Sequence, residues 1–377
     1  MRTEKINKML QEGIENKYFP CAAFAIGDKD GLLYKNYYGV TRCFDDNNPC
    51  FEAVPERFTG VTPPLSEKTL FDMASCSKIM SATMLALRFI EEGKITLFDS
   101  ISRFFDVPED KKDIEIRHLL THTSGIKQHF LLENDGRSPE QVVEIILSQE
   151  LAYPTGTKVA YSCMGFILLG KILEKVGGAP LDVLAEEFVF KPLGMSNTCY
   201  NPLEKGYTDI AATEYVESVG GYKQGLVHDE NALFLRGVSA NAGVFSTLDD
   251  VTVFAQMLAN KGEIKGKEAF LAPSTMKAAI YDYTRGKEEG RGLGFVIREV
   301  DTLSAMGDLY PDGSYGHNGF TGTSIYVHGD TGLYIVLLTN RVHFTRASQG
   351  LYRFRRMLFN LCVSEYEKTE LPFKKKN

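Results

Sequence analysis

Hydrophobic residues recur along this chain with two different spacings, and the spacing predicts which segments are helices and which are strands. The first residues, MRTEKINKMLQEGIENKYF, have the three-to-four-residue spacing of an amphipathic helix. Residues 21–39 form two apolar runs around the sequence DKDG at 28–31, which predicts a β-hairpin. The chain is therefore expected to open with a helix and two strands.

The middle of the chain, from about residue 73 to residue 189, has the periodicity of helices. Four segments carry this pattern: MSATMLALRFIEEG, PEQVVEIILSQEL, GFILLGKILEKVGG and LDVLAEEFVF. From residue 293 the pattern returns to strands in GFVIREV, TSIYVHG and GLYIVLLTN, and HGDTG at 328–332 predicts a second hairpin turn. A last helix is expected near residues 346–365.

Strands at both ends with helices between them predict a mixed α/β fold of the α+β kind. Its antiparallel sheet is expected to be built from both termini, to be flanked by helices and to carry an inserted helical lobe. We predict a single domain over residues 1–377, in which 1–72 and about 236–377 form a sheet lobe and about 73–235 a mostly helical lobe. The site is expected between the two.

Composition and charge narrow the class of protein. With 377 residues, 44% of them hydrophobic, the chain buries a core without needing disulfides or metal. Its net charge of -7 has the wrong sign for a nucleic-acid partner. The most apolar stretch, LYIVLLT at 333–339, is too short to span a bilayer and reads as a buried strand, so we expect no membrane partner.

The cysteines bear on the compartment. Seven is an odd number scattered through a long chain, which favours reduced thiols, and no export signal is visible at the amino terminus. We therefore predict a cytoplasmic location. Cys43 and Cys50 bracket an acidic loop and are a candidate redox or metal pair, but no second pair follows at ligand spacing, so no metal is expected.

Common catalytic signatures such as GxSxG, the P-loop, HExxH and GxGxxG are absent. Ser-x-x-Lys occurs three times: Ser75 with Lys78, Ser124 with Lys127, and Ser274 with Lys277. Gly125 weakens any helix at the second copy. In the third, Ser274 follows Pro273 and fits a helix N-cap, with its lysine in solvent.

The first copy differs because the helix that follows it is apolar nearly all round. A lysine in the first turn of such a helix must reach water, pair with an acid or lose its charge, because burial and the positive end of the helix both lower its pKa; this makes Lys78 a candidate base. A neutral amine one turn from Ser75 accepts the proton of its hydroxyl, which makes the serine a nucleophile. Taken alone, the segment equally allows Ser75 to cap the helix and Lys78 to extend to water.

Five ordered blocks extend this pattern over most of the chain. They are FDMASCSKIMSATMLALRFIEEGKITLFDSI, IEIRHLLTHTSGI, PTGTKVAYSCMGFILLGKILEKVGG with FKPLGMSNT, VHDENALFLRGVSANAGVFST and YGHNGFTGTSIYVHGDTGLYIVLLTN. Together they resemble the serine β-lactamase and penicillin-binding-protein superfamily, in particular its class C and carboxylesterase-like branch. The resemblance implies a β-lactamase/transpeptidase-like fold and no cofactor.

The resemblance also implies roles for individual residues. Ser75 matches the acylated nucleophile, Lys78 its partner, and Tyr161 the tyrosine that class C enzymes use for general acid and base work. The third motif, usually Lys-Thr-Gly, appears as His317-Asn318-Gly319. The oxyanion donors are then the backbone N–H groups of Ser75 and Phe320. The residues implied to bind substrate are Cys163, His317, Asn318, Gly319 and Phe320.

Two positions depart from the family pattern. Cys163 stands where the second motif normally has Asn, and a thiol cannot replace a carboxamide that holds the substrate's amide. His317 stands where a lysine is usual and offers a donor without a fixed charge, so a substrate carboxylate is held less firmly. The first change favours esters over peptides and β-lactams. Some hydrolases and D-amino-acid peptidases of the superfamily also carry His-x-Gly, so the second change does not by itself predict an inactive protein.

Two other features have a functional and a structural reading. His118 and His122 are four residues apart, but no third ligand is evident and we expect them to pack or cap. The small residues of GVSANAGVFST at 237–247 permit close backbone approach, and this segment either lines the cleft beside residues 228–230 or forms a packed turn.

We therefore predict a serine hydrolase that acts through an acyl-enzyme on a small-molecule ester, amide or peptide, as a carboxylesterase, a D-peptidase or a weak β-lactamase. The alternative is a non-turnover binding protein that retains the penicillin-binding fold, because Cys163 and His317 both erode the standard site. The sequence leaves the natural substrate and the oligomeric state open.

Overall fold

The structure, a computed structural model, describes residues 1–44, 64–299 and 303–371. The helices in these ranges are α1 Glu4–Glu15, α2 Met84–Glu91, α3 Ile116–Leu120, α4 Val142–Leu147, α5 Cys163–Gly177, α6 Leu181–Ala185, α7 Lys191–Leu193, α8 Glu230–Phe234, α9 Leu248–Ala259, α10 Pro273–Ala279 and α11 Gly350–Thr369. The strands are β1 Cys21–Asp28, β2 Gly31–Gly39, β3 Phe71–Asp72, β4 Tyr215–Val216, β5 Gly221–Tyr222, β6 Phe245–Ser246, β7 Val296–Ile297, β8 Tyr315–Asn318, β9 Ser324–Val327 and β10 Tyr334–Thr339.

One six-stranded antiparallel sheet joins the two ends of the chain. Its strand order is β2-β1-β10-β9-β8-β7, and β10 pairs with β1 on one side and β9 on the other. Side chains alternate along β1: Phe24 and Ile26 face the core under α1 and α11, whereas Ala23 and Ala25 face the core shared with α9 and the central helices. Both faces are covered, so the sheet is buried across most of its width.

The predicted fold class is confirmed: helices flank an antiparallel sheet built from both termini. Both predicted hairpins are present, as β1–β2 and β9–β10. The last helix begins at Gly350, four residues later than expected. The Arg341 guanidinium accounts for part of this difference. It donates hydrogen bonds to the carbonyl oxygens of Arg346 and Ser348, which hold that stretch in a turn.

The central part of the chain is mostly helical, as the periodicity predicts. Its longest helix is α5, in which nine residues are buried. A π-helical turn, Lys78–Thr83, precedes α2, and every residue in it is buried. The division into a sheet lobe and a helical lobe within one domain stays a prediction. Within the described ranges, no helix has both the length and the apolar character needed to cross a bilayer.

Candidate active site

The segment that carries Ser75 is a tight turn between β3 and the buried π-helical turn. Ala74 has a φ of 46°, a left-handed conformation that residues with a side chain seldom adopt. The fully buried carboxylate of Asp72 accepts hydrogen bonds from the backbone N–H groups of Ala74, at 2.8 Å, and His228, at 2.7 Å. Asp72 therefore holds the turn that presents Ser75, which is itself only partly buried.

Lys78 is fully buried and points back at the serine. Its Nζ lies 3.2 Å from Ser75 Oγ, and it donates to the carbonyl oxygen of Asn241 at 2.9 Å. The same nitrogen lies 4.8 Å from the ring centre of Tyr161 and 5.5 Å from that of Phe166. The structure thus brings Ser75, Lys78 and Tyr161 into one cluster, as the three-residue spacing and the resemblance require.

The pKa of Lys78 shifts in the opposite direction to the one expected from the sequence. Burial lowers the pKa of Lys78, but the negative charges that Cys163 and Tyr161 carry when ionised raise it further, so the net shift is upward. Burial also raises the pKa of Tyr161, against the opposing effect of Lys78. The sequence-based expectation counted only burial and the helix end, so it gave the opposite direction for the pKa of Lys78.

Tyr161 is placed by His122, a residue for which we expected only packing or capping. The Nδ1 of His122 accepts the backbone N–H of Ser162 at 3.0 Å, and its carbonyl oxygen accepts that of Ala160 at 2.9 Å. The His122 and Tyr161 rings lie 4.6 Å apart. Since burial lowers the pKa of His122 far below its ordinary value, the ring is a neutral support for the loop.

Cys163 is the first residue of α5, directly after the Ser162 cap, whose Oγ accepts the backbone N–H of Gly165. Its Sγ lies 3.8 Å from Lys78 Nζ, and the side chain is partly exposed. A hydrogen bond with this thiol raises the pKa of the exposed His129. Cys163 thus occupies the side of the cleft next to the reacting groups.

The third motif runs along β8 and continues into the turn before β9, directly beside the serine segment. Three contacts connect the two: Thr321 Oγ1 to the carbonyl oxygen of Asp72 at 3.0 Å, Thr323 Oγ1 to that of Met73 at 3.0 Å, and Cys76 Sγ to that of His317 at 3.6 Å. The carboxamide oxygen of Asn318 accepts from the Tyr326 hydroxyl at 2.7 Å, so it is held toward β9.

Gly319 is required for this close approach. A Cβ built there would lie 2.2 Å from Thr323 Oγ1 and 2.6 Å from the carbonyl oxygen of Met73. We expect Gly319→Ala to push the turn away from the serine segment, to cost about 1–3 kcal/mol of stability, and to lower kcat more than it raises KM. Thermal unfolding and steady-state ester hydrolysis check this prediction. A variant with unchanged kcat would show that the close approach is not needed.

The backbone N–H groups of Ser75 and Phe320 have no acceptor among the described residues. Free N–H groups at these two positions are what an oxyanion hole needs, because they donate to the charge that develops on a carbonyl oxygen under attack. Phe320 is 46% exposed, and its carbonyl oxygen accepts from Arg341 Nε at 2.9 Å. The backbone at this position is therefore held, and the guanidinium of Arg341 also packs 4.4 Å from the centre of the Phe320 ring.

His317 is buried and neutral, but it is not the donor that we expected. Its Nδ1 lies 2.8 Å from the carbonyl oxygen of Asn318, and because a carbonyl only accepts, Nδ1 carries the proton. Burial, Lys78 and Arg291 lower the pKa of His317 far below its usual range, so Nε2 carries none. Nε2 has no partner among the described residues, and it is an acceptor beside Tyr161.

The other candidates are structural. Ser124 is buried and its Oγ accepts a backbone N–H, while Lys127 is exposed. Ser274 is exposed and lies inside the first turn of α10, whose N-cap is Ala272, so the prediction that Ser274 is the cap is wrong. Lys277 is in solvent as predicted.

No metal cluster is present in the described part of the chain. His118 Nδ1 accepts the Glu115 N–H, which is a helix-capping contact, and no group of three or more His, Cys, Asp or Glu side chains is gathered within 1–44, 64–299 and 303–371. The Cys43–Cys50 pair cannot be placed, since Cys50 lies outside the described residues.

Sequence reasoning missed several groups that shape the site. Asp72 precedes Ser75 by three residues in the same block, but the strained turn that makes it necessary has no sequence signature. In the segment at 237–247, Asn241 supplies the carbonyl oxygen that accepts from Lys78, so this part of the segment contacts the cluster. Arg291 is 3% exposed, and its guanidinium lies 5.4 Å from the Tyr161 ring centre. Only the folded chain brings these groups together.

Comparison with known proteins finds relatives that match most of the chain. The family model described as Beta-lactamase matches residues 6–356. The chain is 29% identical over 372 residues to "N-acetylmuramyl-L-alanine amidase" of Bacillus subtilis, which covers 91% of this chain and 81% of that protein. It is 30% identical over 376 residues to "Putative D-alanyl-D-alanine carboxypeptidase" of Escherichia coli, covering 91% and 83% of the two chains.

Solved structures show the same fold. The octameric penicillin-binding protein homologue from Pyrococcus abyssi superposes with a TM-score of 0.70 at 19% identity and covers 95% of this chain and 78% of that one. EstCE1, described as a hydrolase with promiscuous acyltransferase activity, gives a TM-score of 0.70 at 22% identity and covers 95% and 98%.

Proposed function

We propose that this chain, which belongs to the beta-lactamase family and is a serine hydrolase, hydrolyses small esters and amides through an acyl-enzyme on Ser75. Esters are the preferred substrates. The observation that carries the proposal is the 3.2 Å contact between Ser75 Oγ and the buried Lys78 Nζ. The same pocket contains a phenol and two free backbone donors. A binding protein without turnover is not favoured, because binding alone does not require a serine hydroxyl, an amine, a phenol and two free backbone N–H groups in one pocket.

The first step is attack of Ser75 Oγ on the substrate carbonyl carbon. The Lys78–Tyr161 pair, after losing one proton, takes the serine proton as the new C–O bond forms. The negative charge moves to the carbonyl oxygen, where the N–H groups of Ser75 and Phe320 stabilise it. As the bond to the leaving group breaks, the pair returns the proton to the alcohol or amine. Water then repeats the sequence to release the acid.

Three features support a preference for esters. Cys163 offers no carboxamide to hold a substrate amide, and an alcohol is a better leaving group than an amine. His317 is neutral, and its Nε2 is an acceptor, so it repels a substrate carboxylate and suits a substrate with a donor. The names of the relatives, an amidase and a carboxypeptidase, support amides as slower substrates.

We expect a neutral p-nitrophenyl ester to acylate the protein at least about 10²-fold faster, by kcat/KM, than a fluorescent penicillin, which carries a carboxylate. Stopped-flow release of p-nitrophenol and gel detection of the labelled protein measure the two rates, and mass spectrometry of trapped protein locates the acyl group. Equal or faster penicillin labelling would contradict the preference. Absence of any acylation by either reagent would contradict the hydrolase proposal itself.

The pKa directions of the catalytic pair predict the pH dependence. The pair must lose one proton to act as a base, and the pKa values of Lys78 and Tyr161 are both raised, so the active form is scarce at neutral pH. We expect kcat/KM for the ester to rise between about pH 6 and about pH 9 without a plateau. A Ser75→Ala blank corrects for spontaneous hydrolysis. A plateau on the acidic side of neutrality would contradict this assignment.

Tyr161→Phe gives the matched test of that coupling. Because interaction with Tyr161 contributes to the raised pKa of Lys78, its removal should lower that pKa and move the rising limb to lower pH while the maximal rate drops. An unshifted profile would mean that Tyr161 does not set the ionisation of Lys78.

We also propose a cytoplasmic location. The six cysteines within the described ranges are all free thiols, which supports a reducing compartment.

A further inference from the structure

Cys163 differs from the other cysteines that the structure describes. The other five are buried: Cys21, Cys43, Cys76, Cys199 and Cys362. Burial raises the pKa of each of those thiols, so each is protonated and unreactive at neutral pH. Cys163 is instead partly exposed, and its sulfur lies 3.8 Å from Lys78 Nζ, beside Ser75.

Three neighbours stabilise negative charge on that sulfur. Cys163 is the first residue of α5, a helix of 15 residues whose positive end favours an anion. The Lys78 ammonium lies 3.8 Å from Sγ. The third neighbour is His129, whose pKa is raised by its hydrogen bond with the thiol. Helix N-termini and adjacent cations are the settings in which cysteines react as thiolates.

Two carboxylates near this cluster oppose the effect in part. Asp229 and Glu230 also raise the pKa of His129. Glu230 is paired with Arg346 at 2.6 Å, whereas Asp229 Oδ1 accepts from the neutral Asn241 carboxamide and keeps its charge. Asp229 therefore offsets part of the positive charge that faces Cys163.

We propose that Cys163 is a second reactive centre in the cleft, a thiol that alkylating agents and hydroperoxides modify, and that its modification stops hydrolysis at Ser75. The reactivity is independent of the proposed function, whereas the loss of hydrolysis rests on it.

The chemistry is ordinary nucleophilic displacement by sulfur. With iodoacetamide, an S–C bond forms, the C–I bond breaks and iodide leaves. With hydrogen peroxide, an S–O bond forms and the O–O bond breaks; the sulfur is oxidised to a sulfenic acid, the peroxide is reduced, and hydroxide leaves and is protonated to water. In both reactions the thiol proton passes to water, and either product adds atoms next to Lys78, where the substrate must lie.

The test is the rate of iodoacetamide labelling at each cysteine, followed by peptide mass spectrometry. Cys50 lies outside the described residues, so the measurements use a Cys50→Ser background. We expect Cys163 to label at least about tenfold faster than the five buried cysteines, and His129→Gln to slow it by about threefold. Cys199→Ser is the matched control and should leave the Cys163 rate unchanged. Labelling of Cys163 no faster than the buried thiols would overturn the proposal.

Parallel measurements separate this proposal from the hydrolase. A Ser75→Ala protein, which should have no ester turnover, should still label at Cys163 at the native rate. In the native protein the fraction of ester activity lost, with iodoacetamide or peroxide, should match the fraction of Cys163 modified. Complete labelling with full activity would overturn the second half of the proposal. Labelling in a protein that shows no turnover at all would instead count against the proposed function alone.

Discussion

Ser75→Ala is expected to lower the turnover of a p-nitrophenyl ester by at least about 10⁴-fold and to abolish the initial burst. The hydroxyl is placed to form the acyl bond, since it lies 3.2 Å from the Lys78 amine. Because Ser75 is partly exposed and its side chain is small, the melting temperature should hardly change. Stopped-flow kinetics, intact-protein mass spectrometry and thermal unfolding measure these three quantities.

The chain provides its own matched control for this experiment. Ser274 has the same Ser-x-x-Lys context but lies exposed in the first turn of α10. Ser274→Ala should leave turnover, burst and melting temperature unchanged. If Ser75→Ala kept a burst of native size, another residue would carry the acyl group and the assignment of the nucleophile would be wrong.

The second large effect is expected from Lys78→Met, which removes the amine but keeps a long apolar side chain in a pocket walled by Tyr161 and Phe166. The loss of a positioned base should lower the acylation rate by about 10²–10⁴-fold. The cost of leaving the Asn241 carbonyl oxygen unpaired is offset by removal of a buried charge, so stability should change little. Single-turnover acylation and thermal unfolding distinguish a catalytic loss from unfolding.

Lys277→Met is the corresponding control, because Lys277 extends into solvent one turn after Ser274. It should have no effect on either measurement. A Lys78→Met protein that acylated within about fivefold of the native rate would show that Tyr161 alone serves as the base.

The secondary structure was largely predictable because it depends on local spacing. The two hairpins are set by turn residues between alternating apolar positions, and the central helices by their period. The start of the last helix was not predictable in this way. The turn before it depends on hydrogen bonds from the Arg341 side chain, and the spacing of hydrophobic residues does not report them. Tertiary contacts of this kind leave no trace in a hydrophobic period.

The site was predictable where motifs are compact and unpredictable where it depends on charge coupling. Ser75 and Lys78 are neighbours in sequence, and Tyr161 was found only through resemblance. The direction of the pKa shift at Lys78 was not predictable, because its partners, Cys163 and Tyr161, lie at and just before the start of α5, far from Lys78 in the sequence. The proton on His317 was equally hidden, since it depends on the distance to one carbonyl oxygen.

The sheet order has a consequence for how the protein is made. Strand β1 lies between β2 and β10. Since β1 ends at Asp28 and β10 begins at Tyr334, the amino-terminal hairpin is synthesised about 300 residues before the strand that pairs with it. During synthesis one apolar edge of that hairpin is uncovered, which exposes it to aggregation or to chaperones. The third motif also lies in the late strands, so a nascent chain has no working pocket. In refolding after dilution from denaturant, regain of esterase activity should therefore report the final long-range strand pairing rather than early helix formation.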